Sequence, residues 1–135
     1  MKHQVFKSEK EKNEWAYPLT GSEYKSKRDE PGDKIIYHYS QHCHGCKKFG
    51  GKYEELARNK WMFPGLTFYR TNNDHNKAEG VRNYNTTPVF AYYKNGCTIP
   101  FLYKMPIFTE ELFQDFLRIT GEVSLMNFDS FHKGI

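Results

Sequence analysis

Lys34-Ile35-Ile36-Tyr37-His38-Tyr39-Ser40-Gln41-His42-Cys43-His44-Gly45-Cys46-Lys47-Lys48-Phe49 is the stretch that decides the fold. Its first six residues are an aliphatic and aromatic run that reads as a strand. Beyond Cys46, the residues Phe49, Tyr53, Leu56 and Ala57 recur at helical spacing. The two cysteines therefore lie where a strand hands over to a helix, with Cys43 at the helix start and Cys46 about one turn in. Thiols placed that way can close a small disulfide ring. Cys43 also meets the unpaired N–H groups and the positive end of the helix dipole, and both favour a thiolate. This is the geometry of a dithiol redox centre. Zinc sites use the same C-x-x-C spacing, so it is the strand-to-helix context that favours redox chemistry.

Some forty residues on, Thr86-Thr87-Pro88-Val89-Phe90-Ala91-Tyr92-Tyr93-Lys94-Asn95-Gly96 reads as a proline opening a strand that ends in an Asn-Gly hairpin turn. With the apolar strand into CxxC, the Lys47-Lys48 first turn, the Leu66-Thr67-Phe68-Tyr69-Arg70 strand and a closing amphipathic helix, the stretch 33–120 resembles the thioredoxin superfamily. The resemblance covers about two thirds of the chain, in the family's order and near its spacings. It implies an α/β thioredoxin fold, with a central mixed sheet flanked by helices, an antiparallel C-terminal hairpin and a closing helix. It also implies a cis Thr87-Pro88 bond beside the disulfide, and Thr87 and Pro88 as one wall of a groove for an extended peptide.

The function that follows is thiol–disulfide exchange with protein substrates. Cys43 is the nucleophile and Cys46 the resolving thiol. No cofactor is expected beyond the redox-active Cys43–Cys46 disulfide, and a reductase or an oxidant must recycle it. His44 and His42 are candidates to tune the Cys43 pKa, because a protonated imidazole stabilises the thiolate. In the disulfide isomerases the dipeptide histidine is the second residue; here it is the first, and Gly45 follows.

Two departures from the family bear on efficiency. The buried Asp six residues before the first cysteine, the family's proton acceptor for the second thiol, is Tyr37 here. A phenol is protonated at neutral pH and does not take up that role. His38, His42 or water must accept the proton, or resolution is slow. The helix proline five residues after the second cysteine is Gly51, beside Gly50, which weakens that helix by roughly 1 kcal/mol per Gly relative to Ala. The alternative reading is therefore a thioredoxin-like binding or adaptor domain with impaired redox chemistry. A Cys/His metal module comes third. His42, Cys43 and His44 are consecutive and point different ways, so no resident metal is expected.

The 135 residues suit one domain, organised as an N-terminal segment 1–33, a core 34–121 and a tail 122–135. Eleven Phe, ten Tyr and two Trp supply a core. The net charge of +4 is spread among alternating Lys and Glu, which indicates neither nucleic acid nor a membrane surface as partner. No run approaches the ~18 apolar residues of a membrane span. Residues 1–9 lack a signal-peptide core, so a cytoplasmic monomer is expected.

Within the N-terminal segment, Gln4-Val5-Phe6 reads as a short strand and 8–15 as a short helix with Ser8 as cap and Glu11 in the capping-box position. The polar stretch 20–33 reads as a loop, with 23–33 as an insertion. Val89–Tyr93 and Thr98–Tyr103 are expected to pair, with Pro100 confining the second strand to the edge. Thr109 caps the last helix, Leu112, Phe113, Phe116 and Leu117 form its apolar face, and Gly121 ends it. Trp15, Trp61 and Phe63 read as packing aromatics. Cys97 reads as a small residue of the edge strand, or else a second reactive thiol with only Lys94 to activate it.

Overall fold

Alternation along the run before the cysteines sets the architecture. In the computed structural model, which describes residues 15–40, 43–73, 88–104 and 109–122, this run is Asp33–Tyr39 and is buried almost throughout. In chain order the elements are β1 (Tyr17–Pro18), α1 (Gly21–Arg28), β2 (Asp33–Tyr39) and α2 (His44–Arg58). A 3-10 turn (Lys60–Met62), β3 (Leu66–Asn72), β4 (Val89–Tyr93), β5 (Phe101–Tyr103) and α3 (Glu110–Glu122) follow. The five strands form one mixed sheet in the order β1-β3-β2-β4-β5. β3 runs parallel to both β1 and β2, whereas β4 is antiparallel to β2 and to β5.

Successive strand residues point to opposite faces. Ile35, Tyr37 and Tyr39 join Phe68, Phe90, Tyr92 and Tyr103 on one face, where Tyr53, Leu56 and Ala57 of α2 and Phe113 and Leu117 of α3 cover them. Ile36, Tyr69, Ala91 and Tyr93 lie on the other face with Leu19 and Tyr24. The larger core is an aromatic lattice: Phe90 lies 4.9 Å from Tyr37, 5.5 Å from Tyr53 and 4.6 Å from Phe113, centroid to centroid. Tyr53 also donates to the carbonyls of Ile35 and Tyr69, at 3.2 and 2.5 Å, so α2 is bonded to the backbones of β2 and β3 as well as packed on them.

One buried ion pair crosses the same layer. Arg70 of β3 donates to Glu54 of α2 at 2.9 Å, and the other Glu54 oxygen accepts the Ala16 N–H at 3.1 Å. Removing either charge would strand the other away from water, at a cost of about 3–5 kcal/mol.

The structure corrects the reading of 20–33 as a loop, since most of it is α1. Thr20 and Glu23 form a capping box, with the Glu23 carboxylate accepting the Thr20 N–H at 3.0 Å and its hydroxyl at 3.1 Å. Those bonds hold the Glu23 carboxyl below its usual pKa, led by the bond from the Thr20 backbone. Tyr24 is the buried anchor of this otherwise polar helix.

The hairpin is also looser than expected. Asn95-Gly96 is a turn closed by the Cys97 N–H on the Lys94 carbonyl at 2.9 Å, but only Gly96 has positive φ, +81°. That is the type II pattern rather than the primed turn of a tight hairpin. The second strand consequently starts at Phe101, not Thr98, and Pro100 and Cys97 precede it. β5 does lie at the sheet edge.

Thr109 caps α3, its hydroxyl accepting the Leu112 N–H at 3.1 Å, and the helix includes Gly121 and Glu122, the last of the described residues. Leu112 faces outward at 44% exposure, unlike Phe113 and Leu117. Trp15 and Trp61, expected to pack, are 53% and 75% exposed, while Phe63 does pack against the core. The expected strand Gln4-Val5-Phe6, the helix from Ser8 and the tail beyond Glu122 lie outside the described residues. Trp15, placed at the end of that helix, sits in a bend.

Candidate functional site

The site is assembled where β2 gives way to α2. Cys43 is the N-cap of α2, with extended backbone (φ −94°, ψ 110°), and Cys46 is the third residue of the first turn. The two are disulfide-bonded, Cα to Cα 5.3 Å. The Cys46 N–H lies 3.1 Å from Cys43 Sγ and 3.2 Å from the Cys43 carbonyl oxygen. A sulfur thus occupies the N-cap acceptor position normally filled by a Ser or Asp oxygen, facing the helix N–H groups.

The two sulfurs have different surroundings. Cys46 is 5% exposed and belongs to the aromatic core, while Cys43 is half-buried and packs on the core's margin. Cys43 is thus the more exposed residue of the pair.

Behind the pair stands Tyr37. Its hydroxyl donates to the Cys46 carbonyl at 3.0 Å, and its ring stacks on Phe90 at 4.9 Å and 13°. Gly50 lies against the same phenol: a Cβ there would sit 3.6 Å from the Tyr37 oxygen. From the sequence, Tyr37 stood where the resembled family keeps a carboxylate, and Gly50 read as a helix weakness. Their pairing was legible only in that Gly50 lies four residues after Cys46, on the same face of α2.

Among the proposed proton acceptors, His38 is excluded by geometry. It follows Tyr37 by one residue and so points to the opposite face of the sheet. There Nε2 is 2.8 Å from the Tyr24 hydroxyl and Nδ1 is 3.1 Å from Asn73 Oδ1. Full burial lowers its pKa to about 4, despite the opposing effect of the Asn73 bond, so it is neutral at pH 7. Glu54, a buried carboxylate on α2, is eight residues past Cys46, roughly 12 Å along the helix, and Arg70 already neutralises it.

His42, Thr87 and the side chain of His44 lie outside the described residues, as does the Thr87-Pro88 bond. Pro88 is half-buried at the entry to β4, two residues before the Phe90 that stacks on Tyr37. Among the described residues no three His, Cys, Asp or Glu side chains are grouped as a metal site would require. Cys97 stands outside the disulfide, half-buried in the turn before β5. The Lys94 amine, considered as its activator, is committed elsewhere, donating to the Thr120 and Gly121 carbonyls at 3.0 and 3.1 Å.

The architecture has clear counterparts among solved structures. The J-Trx1 fragment of ERdj5 superposes with a TM-score of 0.68 at 15% identity, over 84% of this chain and 55% of that one. Human ERp44 in a zinc-bound form gives a TM-score of 0.67 at 15% identity, over 79% of this chain and 31% of that one. The chain thus spans about half and one third of the lengths of these two structures. No family model and no curated protein matches the sequence. The chain has the thioredoxin fold, with a disulfide-forming cysteine pair at the start of the helix after its central strand.

Proposed function

We propose that this domain exchanges disulfides with protein substrates, with Cys43 as nucleophile and Cys46 as resolving thiol. One observation carries the reading: Cys43 is the more exposed residue of the pair, and its Sγ is the one that receives the Cys46 N–H. A thiolate there gains a hydrogen bond and sits at the positive end of the helix dipole, whereas Cys46 lies inside the first turn and in the core.

In the reducing direction the Cys43 thiolate attacks one sulfur of a substrate disulfide. A mixed disulfide forms and the first substrate sulfur leaves as thiolate. Cys46, after losing its proton, attacks Cys43 Sγ and regenerates the internal disulfide. The second substrate sulfur leaves and takes up a proton. Two electrons pass from the protein to the substrate, and a reductase must return them. With an oxidant as recycler the same steps run backwards. Thr87 and Pro88 would flank the extended substrate beside the disulfide.

Pulse alkylation of the reduced protein over a pH series tests this. Cys43 should label first, with an apparent pKa below that of an ordinary cysteine. Faster labelling of Cys46, or two thiols of ordinary pKa, would overturn the assignment. A second reading, a binding domain with feeble exchange, is favoured by Tyr37, which donates where the resembled family keeps a proton acceptor. Cys46→Ser separates the two readings. The exchange enzyme accumulates mixed disulfides in that variant, and the binding domain captures no more partner than Cys43→Ser does.

A further inference from the structure

Tyr37 and Gly50 form a device that the cysteines alone do not explain. The first turn of α2 is tied at both sides of Cys46. Its N–H lies on Cys43 Sγ at 3.1 Å, and its carbonyl receives the Tyr37 hydroxyl at 3.0 Å. A carbonyl in a helix interior already has a backbone donor four residues on, so the phenol is a second donor to one oxygen. It reaches that oxygen from β2 past a glycine, where any side chain would begin 3.6 Å from the phenol oxygen. The ring is held in turn by Phe90 at 4.9 Å and Tyr53 at 5.0 Å, so the hydroxyl has a fixed origin on the sheet.

We infer that Tyr37 is a positioning residue for the exchange reaction. It anchors Cys46 so that the Cys46 N–H stays aimed at the Cys43 sulfur when the disulfide opens. In the disulfide the two sulfurs are covalently joined, and the turn is held by that bond. In the dithiol that tether is gone, and the Tyr37 bond still fastens the Cys46 carbonyl to the central strand. The N–H then faces a thiolate, to which a hydrogen bond is stronger than to a neutral sulfur. Tyr37 thus acts on the reduced form, through backbone, without touching substrate. It replaces a proton acceptor with a clamp.

The inference rests on the exchange reading, and the experiment separates the two. Wild type, Tyr37→Phe and a protein carrying 3,5-difluorotyrosine at position 37 are each equilibrated with glutathione redox buffers. Thiolate absorbance of each reduced protein is followed against pH. Tyr37→Phe keeps the ring stack and loses the donor. It should raise the Cys43 pKa and shift the dithiol–disulfide equilibrium about fivefold toward the disulfide, the scale of one net hydrogen bond. The fluorinated phenol, still protonated at pH 6 and a stronger donor, should shift both quantities the other way when compared there.

A merely structural tyrosine would lower the melting temperature of Tyr37→Phe and leave both quantities unchanged, which overturns the inference. Should Tyr37→Phe fail to fold, the fluorinated protein alone decides, by moving both quantities in the stated direction or not. A wild-type protein that shows no reversible equilibrium with glutathione overturns the exchange reading instead.

Discussion

His38 is enclosed by the Tyr24 hydroxyl on Nε2 and Asn73 on Nδ1, and the Tyr93 hydroxyl lies 3.1 Å beyond Tyr24. Its pKa falls to about 4 because burial penalises the imidazolium; in the unfolded chain it returns to about 6.5. Between those values the unfolded state binds more protons, so stability is full above pH 6.5 and declines as the pH falls toward 4. The span of about 2.5 units corresponds to about 3 kcal/mol. Urea unfolding at pH 7 and pH 4.5 should show most of that loss in the wild type. His38→Gln should be less stable at pH 7 and distinctly flatter between the two pH values. Parallel curves would mean that His38 is not the titrating group. The same residue shows what the sequence made legible. Adjacency placed His38 among the candidates for the cysteine chemistry, whereas the two-residue period of a strand sends it to the face away from Tyr37.

α1 shows the converse at the scale of an element. Its sequence, Gly21-Ser22-Glu23-Tyr24-Lys25-Ser26-Lys27-Arg28, has one large apolar residue and hence no periodicity to read. The strand into CxxC, β3 and β4 were legible as aliphatic and aromatic runs, and the two helices because their apolar residues recur at helical spacing. α1 is instead specified by its ends and its anchor: the Thr20–Glu23 capping box, Lys25, Lys27 and Arg28 near the C-terminus, and Tyr24 bonded into the His38 network. Such local signals are weak in a sequence because polar loops carry the same residues. Their weight in the fold is measurable. Thr20→Ala removes the hydroxyl from the capping box and should cost about 1 kcal/mol, read as a lower urea midpoint at constant slope. A variant with the wild-type midpoint would show that Tyr24 alone seats the helix.

Across the whole molecule the sheet separates two poles. The cysteine pair lies past the C-terminal end of β2. At the other end Asp33 accepts from the Tyr92 hydroxyl at 2.7 Å, the Asn95 N–H at 2.8 Å and the Lys94 amine at 3.5 Å. That cluster joins the start of β2, the end of β4 and the last turn of α3, whose Thr120 and Gly121 carbonyls take the Lys94 amine. Tyr92 is part of the closure. Its pKa is raised, by burial first and then by Asp33, and a Cβ on Gly121 would come within 3.3 Å of its hydroxyl. From Asp33 to Tyr39 the strand spans about 20 Å, a separation at which a charge removed at the Asp33 pole should have little direct effect on the cysteines. Asp33→Asn weakens the bonds that hold three elements together and should destabilise the fold by about 2 kcal/mol. The Cys43 pKa and the glutathione equilibrium should stay at their wild-type values, measured well below the variant's melting temperature. A shift in either would show that the far pole is mechanically coupled to the first turn of α2, so that the rigidity of the aromatic layer between them, rather than the local clamp at Tyr37, governs the thiol chemistry.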